Sequence, residues 1–303
     1  MRFALYLFKQ MNRKEFISQA ALLAAFWKIQ SNPTMQTLFN LPDTGTLMPA
    51  LFVGHGSPMN AIETNEFSQK WSQLGKSLPK PVAILCVSAH WETYGTQVTA
   101  MEKPRTIHDF GGFPQALFDV QYPAPGSPAI ANDIHNTDNS IAFDQRWGLD
   151  HGCWSVVRCM YPKADIPVLQ LSLDVNKSPQ EHYEFAKNLM SLRKKGILIL
   201  SSGNMVHNLG RVAWDKMNVP EYGYDWAIQA NTEMKSAILN HQLDKLSTYS
   251  KQGTAWYLAI PTPEHYLPLL YTLGVKQESD KINWFNDKAI MGSLTMTSFV
   301  LEG

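Results

Sequence analysis

The chain has 303 residues, which is enough to bury one large core or the cores of two close lobes. Hydrophobic residues make up 45% and charged residues only 17%, which favours a compact enzyme and argues against long disordered arms. The formal net charge is +0, so nucleic acid and acidic membrane surfaces are not expected as partners.

Cysteine usage and hydropathy indicate the compartment. The three cysteines, Cys86, Cys153 and Cys159, are an odd number without a CxxC pair, which is typical of free thiols in a reducing compartment. No apolar run is long enough to span a bilayer. We therefore expect a cytoplasmic protein that is not embedded in a membrane.

The first 45 residues are ambiguous. Arg13 and Lys14 precede a mostly apolar stretch from Phe16 to Phe26, which resembles a twin-arginine export signal without its second arginine and without a clear cleavage site. An amphipathic extension, or a start at Met35 or Met48, is the alternative that we favour. We predict an N-terminal extension over residues 1–45 and one catalytic domain over residues 46–303.

Beyond the extension, apolar runs alternate with helical patterns. Strands are predicted at 49–53, 82–88, 96–101, 166–173, 197–201 and 293–301, and helices at 67–74, 179–194 and 224–239. The runs VAILCVS and ILILS are apolar on both faces, as in strands that helices cover from two sides. This pattern predicts a single α/β domain with a central, mostly parallel or mixed sheet flanked by helices. Ligands in such folds bind at the carboxyl ends of the strands.

Histidines follow three of these strands. His55 comes after LFVG, His90 after VAILCVSA, and His207 after ILILSSGNMV, while His151 and His265 lie in turns of their own. The carboxyl ends of parallel strands share one rim, and a group of neutral imidazoles there would be costly without a cation. The sequence therefore predicts a metal site at this rim.

The residues leave the identity of the metal open. Imidazole suits zinc, iron, copper and nickel, and Glu264 beside His265 could complete a facial triad for ferrous iron. Gly54 and Gly56 around His55 either let a substrate approach the backbone or serve only a tight turn.

A second motif, TIHDFGGFP, is rich in aromatic residues and glycine. Its His108, Phe110 and Phe113 are candidates for the wall or lid of a pocket for a planar aromatic substrate, although the same side chains could simply pack the core. Three further histidines lie on polar or helical segments and are predicted to be surface residues: His135, His182 and His241.

The longer motifs resemble a known family. MPALFVGHGSPMN, VSAHWE, TIHDFGGFPQALFDVQYPAPGSP, DHGCWSVV, SGNMVHNLG and PTPEHYLPLLYTLG are similar, in order from about Met48 to the C-terminus, to the bacterial and plant 4,5-DOPA extradiol dioxygenases. These enzymes are class III extradiol ring-cleavage dioxygenases with an α/β fold around one mononuclear metal ion. The resemblance implies Zn²⁺, as in bacterial members, or Fe²⁺, as in the wider class.

The resemblance also implies roles for individual residues. The metal ligands would be His55, His90, His207 and His265. His151 would be the neighbouring histidine that assists proton transfer and oxygen handling. Because more distant relatives use two histidines and a glutamate as ligands, His207 is either a ligand or a catalytic base.

Three functions follow, in decreasing order of support. The favoured one opens the ring of a DOPA-like catechol with O₂ to a muconic semialdehyde, so the expected partners are this small molecule and O₂, and a monomer is expected. The second is a zinc-dependent hydrolase of an amide or ester, with Glu264 or Glu92 as general base. The third is a metal-storage protein with a closed four-histidine shell.

Overall fold

A computed structural model describes residues 41–303; the first 40 residues of the predicted extension lie outside the described part. Ten strands are present in residues 41–303, and their bounds are as follows. They are β1 Ala50–Gly54, β2 Ala83–Thr93, β3 Gln97–Thr99, β4 Ala142–Asp144, β5 Val168–Asp174, β6 Ile197–Gly203, β7 Lys281–Phe285, β8 Ala289–Ile290, β9 Leu294–Thr295 and β10 Ser298–Glu302.

Helices connect these strands. The α-helices are α1 Glu66–Ser77, α2 Gln115–Phe118, α3 Pro128–His135, α4 His151–Met160, α5 Pro179–Lys187, α6 Met190–Lys194, α7 Asp225–Leu239, α8 Leu243–Ser247, α9 Thr254–Ala259 and α10 Leu267–Gly274. Short 3₁₀ turns cover Pro58–Ala61, Leu209–Arg211, Trp214–Lys216 and Tyr249–Lys251. Within the described residues, none of these helices has both the length and the apolar character needed to cross a bilayer.

Eight strands form one mixed sheet in the order β4-β3-β5-β2-β6-β1-β10-β7. The four central strands, β5, β2, β6 and β1, are parallel to one another. Antiparallel pairing begins on both sides, between β1 and β10 and between β3 and β5. The predicted α/β fold with a mixed central sheet is confirmed. Because β1, β2 and β6 are parallel neighbours, their carboxyl ends lie on one rim.

The core occupies both faces of the central strands, as the two-sided apolar runs predict. Ile84 and Cys86 of β2 belong to a cluster with Trp71 of α1 and Trp154 of α4. Leu85, the residue between them, points to the opposite face, because side chains alternate along a strand. Helix α10 packs against β1, β2 and β6, and α5 packs on α10. Full burial of a side chain such as leucine stabilises the fold by about 1.5–3 kcal/mol.

Two predicted elements are interrupted in the structure. The helix predicted over 179–194 is divided between α5 and α6, because the chain tightens at Asn188, whose N–H bonds the carbonyls of Phe185 and Ala186. The strand predicted over 293–301 is divided between β9 and β10. Met296 leaves the main sheet to donate its N–H to Lys288, and β9 pairs with β8 instead.

The prediction that His135, His182 and His241 are surface residues is wrong for His182. His135 is half-buried and His241 is exposed, but the His182 side chain is fully buried on the inner face of α5. Its Nδ1 lies 3.0 Å from the hydroxyl of Tyr271 in α10. The i, i+3, i+4 spacing of His182, Phe185 and Ala186 marks this buried face, and the polar neighbours in the sequence concealed it.

Candidate metal centre

Three imidazoles from three separate parts of the chain meet at the rim. His55 follows β1, His90 lies near the end of β2, and His265 lies in the turn before α10. One ring nitrogen of each lies within 4.8 Å of the others. The closest pair is His55 Nε2 and His90 Nε2, which are 3.1 Å apart. The structure therefore brings together three of the four histidines predicted as ligands.

Backbone contacts hold this geometry. The His55 N–H donates to the carbonyl of Gly203 at 3.1 Å, which fixes the turn after β1 against the end of β6. The carbonyl of His55 accepts from the Asn60 amide at 3.0 Å. The Asn204 N–H donates to the carbonyl of His265 at 2.8 Å, which docks the third turn on the same strand end.

Glycine is needed where α4 approaches His90. A Cβ on Gly152 would lie 2.5 Å from Ser88 Oγ and 2.9 Å from the His90 ring, so any other residue would push the helix away. At Gly54 and Gly56, a Cβ would collide with Met296, so the space beside these glycines is already filled by the protein. Of the two interpretations of these glycines, the structure supports tight packing of the turn and not the approach of a substrate.

The rim imidazoles are held in the neutral form that binds metal. Burial lowers the pKa of His55 and of His265 well below the usual value, and the neighbouring imidazoles lower both further. Burial, together with His151, lowers the pKa of His90 to about 4. Protonation would place a positive charge among buried rings, away from water and next to other imidazoles. The rings are therefore neutral at neutral pH, and each keeps one nitrogen lone pair.

Hydrogen bonds define which nitrogen of His55 carries the proton. The Ser202 hydroxyl donates to the carbonyl of Gly152 at 2.6 Å, so it accepts from His55 Nδ1 at 3.0 Å. The lone pair of His55 is then on Nε2, which points at His90 Nε2. Only a proton or a cation fits between two such nitrogens. The donor set therefore fits a metal ion, with His55, His90 and His265 as the residues that would hold it.

Glu264 and His207 both contact His265. Glu264 Oε1 is 3.1 Å from His265 Nδ1, so it accepts that proton and leaves Nε2 as the free nitrogen. The His207 ring stacks on His265 with centroids 3.6 Å apart and planes 8° apart. His207 groups with His265 and Glu264, not with His55 and His90. Burial lowers the pKa of His207 to about 4, so this ring is also neutral.

His151 begins α4 beside the three-histidine group. Asp150 caps the helix by accepting from the Cys153 N–H at 3.1 Å, and the ring centroids of His151 and His90 are 3.9 Å apart. The His151 Nδ1 lies 2.9 Å from Asp109 Oδ2, and the His151 backbone N–H donates to Asp109 Oδ1 at 2.9 Å. His151 is thus outside the group of His55, His90 and His265, and it forms a neighbouring group with His90 and Asp109.

The aromatic motif forms a wall beside His151. Phe110 meets the His151 ring edge-on with centroids 5.5 Å apart, and Phe113 meets Phe110 at 5.4 Å. Both rings are half-buried and also pack on the core cluster. His108 lies behind them and contacts the Val120 carbonyl through Nε2 at 3.0 Å. The wall therefore combines a packing role with an exposed aromatic edge.

Two residues of this region, Asp109 and Ser202, were not predicted from the sequence. Asp109 lies between His108 and Phe110, two of the three predicted residues of the TIHDFGGFP motif, and a carboxylate in an aromatic loop was a usable signal. Ser202 lies inside the apolar run ILILSS and gave none, because a serine at the end of a buried strand is common. Its role depends on which strand lies next to β1.

Known proteins are similar to this chain over most of its length. The family described as the catalytic LigB subunit of aromatic ring-opening dioxygenase matches residues 48–301. A 4,5-DOPA dioxygenase extradiol of Escherichia coli (strain K12) is 48% identical over 264 residues, which are 84% of this chain and 95% of that protein. The 4,5-DOPA dioxygenase extradiol of Beta vulgaris is 34% identical over 256 residues, which are 82% and 94% of the two chains.

A solved structure agrees with these relatives. The crystal structure of an uncharacterized protein from Escherichia coli K12 matches with a TM-score of 0.73 and 42% identity, and the match covers 84% of this chain and 100% of that one. The fold and the matches define an enzyme of the aromatic ring-opening dioxygenase class. The chain belongs to the LigB family, within its 4,5-DOPA extradiol dioxygenase branch. The resemblance seen in the motifs is confirmed, and the hydrolase alternative is not favoured.

Proposed function

We propose that this enzyme opens the ring of a DOPA-like catechol beside its two hydroxyls, using O₂, to give a muconic semialdehyde. The observation that carries the proposal is the three-imidazole group with a fourth imidazole, His151, directly beside it. His55, His90 and His265 would hold one mononuclear ion, Zn²⁺ or Fe²⁺. When bound, either ion would acidify a coordinated hydroxyl, and Fe²⁺ would also supply redox chemistry that the d¹⁰ ion Zn²⁺ lacks.

The protein's own residues would then handle protons. His151 keeps its Nδ1 proton on Asp109, so its Nε2 is available to accept the proton of a catechol hydroxyl. His207, stacked on His265, is another imidazole beside the site, and burial lowers its pKa to about 4. We assign His207 the role of a base rather than a fourth ligand, since its nitrogen does not join those of His55 and His90.

Phe110 and Phe113 would orient the ring of the substrate. An exposed aromatic edge beside His151 favours an offset or edge-on contact with a planar ring, worth about 0.5–1.5 kcal/mol beyond burial. His108 would support the wall through its contact with the carbonyl of Val120.

The proposed catalytic domain, residues 46–303, contains the whole family match, which covers residues 48–301.

An oxygen electrode tests the reaction directly. Protein purified without oxygen and loaded with Fe²⁺ or with Zn²⁺ is mixed with a panel of catechols and with amide and ester substrates. Catechol-dependent oxygen uptake and a product absorbing as a semialdehyde are expected with at least one metal. Hydrolysis without oxygen uptake would contradict the proposal.

A variant of His151 tests the assignment of the base. His151→Ala should retain the metal and lower turnover by about 10²–10⁴-fold, since a positioned proton acceptor contributes about that much. His241→Ala, which changes an exposed histidine, is the matched control and should behave as wild type. Wild-type turnover by His151→Ala would show that the assigned role is wrong.

A further inference from the structure

One carboxylate contacts both the proposed base and a proposed metal ligand. Asp109 Oδ1 accepts the backbone N–H of His151 at 2.9 Å, and Oδ2 accepts from His151 Nδ1 at 2.9 Å. Oδ2 also lies 3.6 Å from Nδ1 of His90. The side chain is only 19% exposed, so this carboxylate is largely screened from competing water.

The geometry of these contacts identifies the donor atoms. Oδ1 is occupied by the His151 backbone N–H, which can only donate, and Oδ2 is directed at Nδ1 of the ring. An ionised carboxylate can only accept hydrogen bonds. Nδ1 of the imidazole facing it must therefore carry a proton.

We propose that Asp109 is a positioning residue that holds His151 as its Nδ1–H tautomer and couples that ring to the ligand His90. The proposal rests on the function proposed above. Because Oδ1 is anchored on the backbone of His151, Oδ2 is directed at the ring of the same residue. One carboxylate therefore sets both the rotation of the His151 ring and the nitrogen that is free to accept a proton.

The same residue joins the aromatic wall to the metal centre. Asp109 precedes Phe110, whose ring touches His151, and the Trp154 indole N–H of α4 donates to the Ile107 carbonyl at 2.8 Å. The loop is thus tied to the first turns of α4 at two points. A change at Asp109 should act on the proton acceptor first and on the wall second.

The isosteric change Asp109→Asn should alter the tautomer of His151 while it preserves the size and shape of the side chain at position 109. The anchored position must still accept the His151 N–H, so the amide oxygen occupies it and the NH₂ group faces His151 Nδ1. That nitrogen must then accept, and the ring proton moves to Nε2, where it blocks proton uptake. Asp109→Glu keeps the carboxylate and tests rescue.

Nitrogen NMR of zinc-loaded protein with ¹⁵N-labelled histidine reads the tautomer without any turnover. The His151 signals are assigned by their loss in His151→Ala. In wild type and Asp109→Glu, Nδ1 should carry the proton; in Asp109→Asn, Nε2 should carry it. A wild-type tautomer in Asp109→Asn overturns the proposal.

Metal affinity and kinetics complete the test. Zinc competition with a chelator should show affinity weakened by about 10-fold in Asp109→Asn, as for other residues that orient a metal ligand. On catechols, kcat should fall by about 100-fold or more with KM within about threefold. A loss confined to KM would overturn the proposal.

The control is Asp119→Asn, an exposed carboxylate at the end of α2 that accepts from Gln115 and should change none of these quantities. If wild type consumed no catechol, the proposed function would fail. The tautomer and the zinc affinity would still decide the role of Asp109.

Discussion

The protein contains two kinds of buried histidine, and they differ in what surrounds them. Burial lowers the pKa of His182 to about 4, much as it does for His90 at the rim. The His182 ring faces a tyrosine hydroxyl, at 3.0 Å from Nδ1. The His90 ring faces another imidazole, with Nε2 3.1 Å from that of His55.

This difference shows that burial and neutrality do not mark a metal site. Both environments disfavour imidazolium, and both histidines lie in helices or strands of the core. Only at the rim do lone pairs from separate segments converge, with each Nδ1 proton of His55 and His265 taken up by an oxygen on its far side. Convergence of free nitrogens is therefore the distinguishing feature.

The largest expected effect separates the two kinds by metal retention. His90→Ala removes one converging nitrogen and should weaken metal affinity by more than about 100-fold, because even residues that only orient ligands cost 10–100-fold. His182→Asn should leave the metal content unchanged. Metal analysis after dialysis of both variants decides this, and equal metal loss from the two would erase the distinction.

The second prediction concerns pH and uses His182 alone. Its pKa is about 4 in the folded state and 6.5 in the unfolded state, so the unfolded chain binds more protons between these values. The contribution of His182 to the free energy of unfolding should therefore be nearly constant above pH 6.5. It should fall by up to about 3 kcal/mol as the pH falls towards 4. His182→Asn should lack this loss.

Urea denaturation of the metal-loaded wild type and of His182→Asn, from pH 7.5 to pH 4.5, measures this effect. The difference between the two curves isolates His182 from other titrating groups. Parallel curves across the window would contradict the prediction.

The smallest predicted effect compares the partners of the two kinds of ring. Ser202→Ala removes the oxygen that holds the His55 proton and should weaken zinc affinity by about 10-fold with little change in stability. Tyr271→Phe should do the reverse. It leaves a buried nitrogen of His182 without its hydroxyl partner, which costs about 1–3 kcal/mol, and the metal remains bound.

Chelator competition and urea denaturation of both variants measure these two quantities. Zinc affinity that fell equally in Ser202→Ala and Tyr271→Phe would show that the effect is general destabilisation and not a change at the metal centre.

Much of the fold could be predicted from local patterns. The apolar runs at 82–88 and 197–201 identified the central strands, because a strand covered by helices on both faces is apolar at successive positions. The short edge strands β4 and β7 were not predicted, because three to five half-exposed residues carry little periodic signal. Helix α4 was missed as well, since its first turn was interpreted as a loop motif.

Periodicity along the chain predicts the α/β class and places His55, His90 and His207 after strands at one rim, whereas His265 was predicted as a ligand only from the family resemblance. Only the packing of distant segments brings His55, His90 and His265 together, stacks His207 on His265 and buries His182. It also decided that Asp109 and Ser202 hold ring protons. Hydrogen bonds of this kind join residues 42 to 147 positions apart, and only the packing of separate segments brings such partners together.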